Sequence, residues 1–500
     1  MFTPLSDLSP FQRVRAVLPP NLNIHLVGGA VRDALLGQPV HDLDFVLADR
    51  ALQTGRQVAN ALHGAYYPLD DQREYARVVY TEADGSRYTL DFALQQGPDL
   101  ESDLRARDFT INALAVDVHQ PGILIDPLGG LADLREKKLR ACSPAAFERD
   151  ALRILRAVRL ASVLQLSIDP VTRRLMRQAV PGLADISPER LRDELFRLLD
   201  GSSASAAIES LAILGVWEAV LPELHALKGV AQSAPHVYDV WEHTLHVLQG
   251  VDVVLGVLAP EFNPDVAASL NLGLLSLRLG RYRRQIGEHF SKALVTGRPR
   301  PSLLRLAALY HDVGKPATRQ VEPQGRVRFL EHEHIGAELA GERGRLLHLS
   351  NIEVDYLQAI VRNHLRPLFL AQGDGLPSRK AIYRFFRSTG DSGVDICLLS
   401  LADTLATYGP TLPQTVWTRQ LDIVRVLLEA WWEKHEESVA PPSLVNGNDL
   451  LDAFQREPGP WVGRMLEAIR EAQATGQISQ REDAFRLARE LYRNESNNQG

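Results

Sequence analysis

The segments that resemble β-strands lie within roughly the first 120 residues of this 500-residue chain. They are short runs of apolar, β-branched or aromatic residues bounded by Gly, Pro, Asp and Asn, at 23–27, 43–47, 77–80, 88–92 and 113–118. From about residue 145, apolar residues recur every three or four positions, which indicates consecutive helices such as 150–164 and 187–199. The sequence therefore predicts an α+β protein in which a small mixed sheet with helices precedes all-α domains.

The composition is that of an ordinary globular protein. Apolar residues make up 45%, and no run approaches the 18 apolar residues that a membrane helix needs. The start lacks a basic segment followed by an apolar core, so we predict no signal peptide, a cytoplasmic location and no membrane partner. The net charge of −7 excludes binding of nucleic acid by bulk positive charge but allows a local basic stripe. With only two cysteines, neither a disulfide framework nor a cysteine-based zinc site is expected.

A double glycine, Gly28–Gly29, follows the first predicted strand and opens a predicted helix. Glycines allow the backbone to approach a phosphate closely, and a helix N-terminus offers N–H donors. Arg32, one turn into the helix, can add a fork of donors to the same anion. A tight strand–helix turn would also use two glycines, so this pair alone leaves both interpretations open.

Two aspartates, Asp42 and Asp44, begin the next predicted strand. Side chains at i and i+2 of a strand point to the same face, so the two carboxylates converge. Converging carboxylates favour a cation between them, and oxygen ligands suit Mg²⁺ shared with a substrate phosphate. Behind the double glycine, this pair predicts a magnesium-dependent phosphate site.

The segments GGAVRDALLG (28–37) and HDLDFVL (41–47) resemble the signature of the class II tRNA nucleotidyltransferase and bacterial poly(A) polymerase family, within the polymerase-β-like superfamily. RDFTINA (107–113) is similar to the second motif of that family, although Ala106 stands where a second arginine often precedes it. DPLGGLADL (126–134) resembles the segment that closes the head domain. The likeness runs almost continuously from residue 25 to about 225.

The resemblance implies a site for nucleotidyl transfer. Arg107, Asp108 and Asn112 would hold the triphosphate and ribose, and Asp42 and Asp44 would hold Mg²⁺. In two-metal phosphoryl transfer, one metal lowers the pKa of the attacking 3′-hydroxyl and the other neutralises the leaving pyrophosphate. As a third carboxylate we consider Asp91 on a neighbouring predicted strand; a surface strand aspartate is equally compatible with the sequence.

A carboxylate and a guanidinium three residues apart could select the base. Asp150 and Arg153 would share one face of the helix predicted at 150–164. Such a pair complements the Watson–Crick edges of C and A and disfavours U and G; an ordinary helix ion pair is the alternative. RDALRILRAVR (149–159) is similar to the base-reading helix of the family, with Arg149 in place of its leading acid. Arg153, Arg156 and Arg159 form a basic stripe, expected either to contact the triphosphate or tRNA or to be a solvated face.

A second cluster of metal-ligand residues lies in the helical part of the chain. His311 and Asp312 occur in LAALYHDVGKP (306–316), and mixed imidazole and carboxylate ligands suit a transition metal or Mg²⁺. The pattern resembles the HD phosphohydrolase superfamily. This implies that His243, His311, Asp312 and Asp403 bind a divalent metal of unknown identity, with His332 and His364 as auxiliary ligands or acids.

Four domains are expected from length and motifs: a nucleotidyltransferase head (1–145), a helical neck that reads the base and binds RNA (146–228), an HD domain (229–410) and a helical C-terminal domain (411–500). The family resemblance implies an enzyme that builds or repairs the 3′ CCA end of tRNA from CTP and ATP. Its HD domain would process phosphorylated RNA ends, and no DNA partner is expected. Partial CC- or A-addition, poly(A) synthesis and non-catalytic RNA binding are the alternatives.

Overall fold

The computed structural model describes residues 8–201, 203–261, 265, 269–373 and 375–497. The first seven residues, on which the prediction of no signal peptide partly rests, lie outside that part. Contacts divide the chain into two compact units, one of residues 1–186 with 213–219 and one of residues 187–212 with 220–500. Among the described residues, none of the helices is both long and apolar enough to span a membrane.

A mixed sheet forms the centre of the first unit. Its strands within the described residues are β1 (Ile24–Val27), β2 (Asp42–Leu47), β3 (Ala65–Asp70), β4 (Tyr75–Thr81), β5 (Arg87–Leu94), β6 (Ala115–Asp117) and β7 (Leu124–Ile125), and β8 (Lys138–Leu139) pairs separately with β9 (Ser167–Ile168). The order across the sheet is β3-β4-β5-β2-β1-β6-β7, with β2 and β5 parallel and the other neighbours antiparallel. This mixed sheet, followed by helices, confirms the predicted α+β class.

The helices of the first unit cover the sheet and continue beyond it. They are α1 (Ser9–Val17), α2 (Gly29–Leu35), α3 (Ala51–Leu62), α4 (Leu100–Ala106), α5 (Gly130–Arg135), α6 (Ala146–Arg149), α7 (Arg153–Val163) and α8 (Pro170–Ala179). The rings of Phe45 and Phe92 stack at 5.1 Å in the apolar core between strands and helices. This core fixes the faces of β2 and β5, so their polar residues point away from it.

Helices α9 (Pro188–Leu199), α10 (Ala204–Leu214), α11 (Val216–Val220) and α12 (Pro222–His225) follow, and both units contribute residues to α10 and α11. The central helices of the second unit are α13 (Val240–Val257), α14 (Leu270–Leu279), α15 (Arg283–Ser291), α16 (Arg300–Tyr310), α17 (Lys315–Thr318), α18 (His332–Leu346), α19 (Asn351–Asn363), α20 (Arg366–Gln372), α21 (Arg379–Thr389) and α22 (Ser392–Tyr408). A short hairpin, β10 (Arg319–Val321) and β11 (Val327–Phe329), interrupts them.

The chain ends in α23 (Gln414–Trp432), α24 (Gly447–Phe454), α25 (Pro460–Ala474) and α26 (Arg481–Asn497). Trp461, Met465 and Ile469 of α25 form a small core with α24 and α26. In the second unit α13 packs against α16 and α22, and α18 packs against α19. These contacts bring distant parts of the sequence to one buried centre.

Candidate active sites

The register of the sheet places three carboxylates on two neighbouring strands. Asp42 and Asp44 lie on β2, two residues apart as the sequence predicts, and Asp44 is the partner of Asp91 on the parallel strand β5. Asp42 is exposed and Asp44 partly buried. Burial raises the pKa of Asp44; Arg107 opposes that rise, and the charges of Asp91 and Asp42 reinforce it. A cation between these groups would relieve the repulsion.

The glycine turn lies against this acid pair. Gly28 has a φ of +79°, and a Cβ atom there would be 3.1 Å from Nη1 of Arg107 and 3.3 Å from Oδ2 of Asp44. Glycine is therefore required at position 28 both for the left-handed backbone and for the close approach. Gly29 begins α2, where Arg32 is one turn along.

A hydrogen-bonded chain links the glycine helix to the second motif. Arg32 donates from Nη1 to Oδ1 of Asn112 at 2.5 Å, and its other donors bind the carboxylate of Asp33. Asn112 donates to Oδ1 of Asp108 at 3.1 Å, and Asp108 forms an ion pair with Arg156 at 2.9 Å. The structure therefore brings together residues that the sequence assigned to the same nucleotide from three separate motifs.

Both carboxylate oxygens of Asp91 accept hydrogen bonds from β4. Arg77 donates to Oδ1 and Oδ2 at 2.8 Å each, and the hydroxyl of Tyr75 donates to Oδ2 at 2.7 Å. Sequence reasoning missed Arg77 and Tyr75 as site residues. Their spacing of two residues on β4 could have identified them. It places both side chains on one face of the strand, and Asp91 lies on that face once β4 and β5 pair.

Asp150 and Arg153 do not share a helix, which corrects the predicted helix at 150–164. Asp150 is extended, with φ −158° and ψ 99°, at the end of α6, and α7 begins at Arg153. The Asp150 side chain accepts a hydrogen bond from the backbone N–H of Leu152, so a local turn replaces the first helical turn. Arg153 donates to the backbone carbonyls of Arg107, Ala106 and Ala146.

The arginine stripe on α7 is divided among different environments. Arg153 is partly buried and bonded to carbonyls at the start of the second motif and at Ala146, whereas Arg156 is exposed and paired with Asp108. Arg159 is partly buried. Arg107 itself donates from Nε to Asp103 at 3.0 Å and presents Nη1 to the glycine turn.

The second site gathers six residues from five helical segments of the second unit. His243 lies on α13, His311 and Asp312 follow α16, His332 begins α18, His364 follows α19 and Asp403 lies on α22. All six are buried. Nε2 of His243 is 3.2 Å from Asp403 and 3.5 Å from Asp312, and Asp312 is also 3.2 Å from Nε2 of His311 and of His332. The sequence thus predicted a set of residues that the fold brings together.

The imidazoles are oriented as metal ligands usually are. His311, His332 and His364 each place Nδ1 2.7 Å from a backbone carbonyl, which directs Nε2 inward. Nε2 of His332 and Nε2 of His364 are buried and face Asp312, at 3.2 Å and 3.8 Å. Two groups there could hold a metal ion, and they share Asp312: one with His243 and His311, the other with His332 and His364. The donor set therefore fits one or two divalent metals.

The pKa shifts of three residues in this cluster favour metal binding. Burial lowers the pKa of His243, and burial together with the charge of His311 lowers that of His364 to about 3. Burial disfavours the ionised form of Asp312, but His311 and Lys315 outweigh it and hold its pKa well below the usual range. Burial also disfavours charged His311, but the charge of Asp312 outweighs it and raises the pKa of His311, which strengthens the competition between proton and metal there.

Lys315 is a further member of this site that sequence reasoning missed. Its ammonium lies 2.6 Å from Asp312 and donates to Gln232 at 2.6 Å. Its position three residues after Asp312 in HDVGK could have identified it, because a tight turn brings a residue at that spacing back beside Asp312. It neutralises part of the buried negative charge that the ligands create.

Four family models match the chain: the poly A polymerase head domain (residues 24–140), the probable RNA and SrmB-binding site of polymerase A (165–228), the HD domain (269–407) and the putative tRNA nucleotidyltransferase domain 2 (440–487). His243 precedes the residues matched to the HD domain, and the fold places its Nε2 3.2 Å from Asp403 within that match. The resemblance to this family and to HD proteins is therefore confirmed.

Whole-chain similarity supports the same conclusion. The chain is 33% identical to the A-adding tRNA nucleotidyltransferase of Deinococcus radiodurans over 94% of its length and 96% of that protein. It is 33% identical to the CC-adding tRNA nucleotidyltransferase of Thermus thermophilus over 92% and 91%. The fold matches the Thermotoga maritima CCA-adding enzyme complexed with tRNA, with a TM-score of 0.59 and 19% identity over 98% of both chains. The chain is a nucleotidyltransferase that belongs to the class II tRNA nucleotidyltransferase family and carries an HD domain.

Proposed function

We propose that the first unit transfers CMP and AMP from CTP and ATP to the 3′ end of tRNA and thereby completes its CCA end. The observation that carries this proposal is the convergence of Asp42 and Asp44 directly beside the Gly28 turn and Arg107. These two carboxylates would hold Mg²⁺, which supplies charge neutralisation at the attacking and leaving oxygens. The 3′-oxygen of the RNA attacks the α-phosphorus, the bond to pyrophosphate breaks, and the hydroxyl proton leaves to solvent.

Asp91 serves in this proposal as a third carboxylate beside Asp44. Its hydrogen bonds from Arg77 and Tyr75 fix its orientation, as outer partners commonly do for carboxylates at metal sites. The phosphates would contact Arg107 and the glycine turn, and Arg32, Asp108 and Asn112 would position the sugar. The contacts among these side chains support their assignment to one ligand.

Asp150 and Arg153 remain our proposed base-reading pair. Asp150 can accept from the exocyclic amine of C or A, and Arg153 can donate to the ring nitrogen. Arg153 donates a hydrogen bond to the backbone carbonyl of Arg107. The residue proposed to read the base therefore contacts the residue proposed to bind the triphosphate. Arg156 and Arg159 would contact phosphates.

A partial enzyme is the second candidate function. The A-adding and CC-adding relatives each align with more than nine-tenths of this chain, and both names describe part of the CCA sequence. The same site chemistry serves either activity, because the Watson–Crick edges of C and A both present an exocyclic amine beside a ring nitrogen that accepts a hydrogen bond.

Three tRNA transcripts distinguish these functions. The transcripts end at the discriminator base, after C and after CC, and each receives a single labelled nucleotide with Mg²⁺. Addition of C, C and then A supports the complete enzyme, and uptake limited to CTP or to the CC transcript supports a partial one. A long homopolymer indicates poly(A) synthesis, and no uptake with retained tRNA binding indicates an RNA-binding protein.

For the HD cluster we propose hydrolysis of phosphate at RNA ends. A divalent metal that activates water would be held by His243, His311 and Asp312, together with Asp403, which lies 3.2 Å from His243. His332 and His364 extend the set toward a second metal. With a 2′,3′-cyclic phosphate, the water oxygen bonds to phosphorus and the bond between phosphorus and the ribose 3′-oxygen breaks. The 3′-oxygen takes the proton that the water gives up, which leaves a 2′-phosphate beside a free 3′-hydroxyl. The buried Nε2 atoms of His332 and His364, which both face Asp312, support this assignment.

A further inference from the structure

The hairpin β10–β11 is attached to the HD cluster but supplies no ligand to it. The hairpin follows α17, which begins at Lys315, and precedes α18, which begins at His332. Arg319 pairs with Phe329, Gln320 with Arg328 and Val321 with Val327. A hairpin in this position can contact a substrate that enters the cluster.

Three contacts fix the hairpin to the site. The carbonyl of Phe329 accepts the hydrogen bond from Nδ1 of His332 at 2.7 Å. Lys315, bound to Asp312, places its ammonium 5.4 Å from the centre of the Phe329 ring. The backbone N–H of Val327 donates to the hydroxyl of Ser233 at 2.7 Å. The returning strand is therefore part of the wall around the metal ligands.

The hairpin is basic although the chain is acidic overall. Residues 319–330 contain three arginines and a single acid, Glu322, which pairs with Arg328 at 2.7 Å. Arg319 and Arg326 are exposed, and neither has an ion-pair partner among the residues that the structure describes. Because cross-strand partners share a face, Arg319 lies on the side of the hairpin where Phe329 meets Lys315.

We propose that the hairpin holds the sugar–phosphate chain of an RNA whose terminal phosphate is hydrolysed at the HD cluster. The preferred substrate of the cluster is then the end of a polynucleotide rather than a mononucleotide; this inference rests on the proposed hydrolase activity. Arg319 at the start of β10 and Arg326 beside the turn can each bind a phosphate of the RNA through charge-assisted hydrogen bonds. Exposed Val321 and Leu330 add apolar surface for ribose or base, which favours RNA over a simple anion.

The test compares two substrates that share the same reacting group. One is 2′,3′-cyclic AMP and the other a pentanucleotide RNA ending in a 2′,3′-cyclic phosphate, with the divalent metal that best supports hydrolysis by the parent protein. In the variant Arg319→Gln/Arg326→Gln we expect KM for the pentanucleotide to rise about tenfold, as for the loss of two phosphate contacts. KM for cyclic AMP and both kcat values should stay unchanged. Arg284→Gln, at an exposed arginine of α15, is the matched control.

Salt and binding measurements make the result specific. For the pentanucleotide, the slope of log KM against the logarithm of salt concentration should fall by about 1.4 in the double variant, or about 0.7 per lost contact. Fluorescence anisotropy of a labelled pentanucleotide with a 3′-phosphate, without added metal, should show weaker binding by that variant. Equal binding by parent and variant, or equal changes for both substrates, overturns the hairpin's role. A parent that hydrolyses neither substrate overturns the proposed hydrolase instead, while anisotropy still decides the hairpin's role.

Discussion

At the scale of single residues, the acids of β2 carry the nucleotidyl-transfer proposal. Asp42 is exposed on the face it shares with Asp44, so removing its charge should leave the fold intact. We expect Asp42→Asn to reduce nucleotide incorporation about a thousandfold, since a metal contributes several kcal/mol to stabilising such a transition state. Radiolabelled incorporation measures this effect, and tRNA binding should be unchanged. Asp84→Asn, at an exposed turn of the same unit, is the control; equal activity in both variants would contradict the metal assignment.

A substitution of Arg77 tests whether Asp91 must be held in a fixed orientation to serve as the third carboxylate. Its two hydrogen bonds at 2.8 Å fix both oxygens of Asp91 beside Asp44. Losing such an outer partner typically costs 10–100-fold in metal affinity or activity, so we expect Arg77→Met to lower incorporation by roughly that factor. A higher Mg²⁺ requirement should accompany the loss. Arg87→Met, at an exposed position of the same sheet, should behave like the parent protein, and an unchanged magnesium requirement in Arg77→Met would argue against this role.

At the scale of elements, the β1–α2 turn provides a paired test. Gly28 and Gly85 both have positive φ, 79° and 90°. Of the two, only Gly28 has side chains within 4 Å of the place that a Cβ atom would occupy. Alanine at either site should cost on the order of 1 kcal/mol or more in the free energy of unfolding. We expect only Gly28→Ala to raise KM for the nucleotide, because its methyl group would displace Arg107 or Asp44. Equal kinetics for the two variants would show that the turn does not meet the triphosphate.

The N-terminus of α19 offers a pH-dependent prediction. Glu353 completes a capping box with Ser350 and binds Arg298 through both oxygens while buried. Burial alone would raise its pKa, but the hydrogen bonds from Arg298 and Ser350 outweigh this and lower it. The stabilisation is therefore present above the unfolded-state pKa of about 4.5 and is lost as pH falls through the folded-state value.

We accordingly expect Glu353→Gln to reduce the free energy of unfolding by about 3 kcal/mol at pH 7, as for a broken buried ion pair. The difference from the parent should narrow as pH falls below 5, because the parent then loses the same interaction. Urea unfolding at several pH values measures it. Glu338→Gln, at an exposed position of α18, is the control. A pH-independent difference would mean that shape, and not charge, determines the effect.

Sequence patterns predicted strands and helices where the pattern depends only on residues close together in the sequence. The run at 43–47 lies within β2, and the helix predicted at 187–199 is α9, which begins one residue later. The order of the strands depends on pairings distant in sequence, so the contact between Asp44 and Asp91 emerged only from the fold. Asp150 shows the opposite failure: the helical period continues through it, but its side chain bonds to the backbone N–H of Leu152 and the helix begins later.

At the scale of the whole molecule, the acidic balance makes local charge decisive. A net charge of −7 opposes RNA at long range, so binding must come from short basic segments such as α7 and the β10–β11 hairpin. Motifs identified residue types for both sites, but the buried cluster needed helices from residue 240 to 408 to be packed together. For this reason His243 and Asp403 could be assigned from family resemblance, whereas the contact between them could not be derived from spacing.

The two sites belong to different units of the chain, so their activities should separate by mutation. We expect His311→Ala to lose bound metal and hydrolysis of 2′,3′-cyclic phosphates, because it removes a buried ligand, while incorporation on a tRNA with a free 3′-hydroxyl continues. On a tRNA that ends in a 2′,3′-cyclic phosphate the same variant should incorporate nothing, since the attacking hydroxyl is never released. The parent should process both tRNAs, and Asp42→Asn should hydrolyse the cyclic end without extending it. Metal analysis and the two tRNAs in parallel measure these outcomes, and incorporation by His311→Ala on the cyclic end would refute the proposed order of hydrolysis before addition.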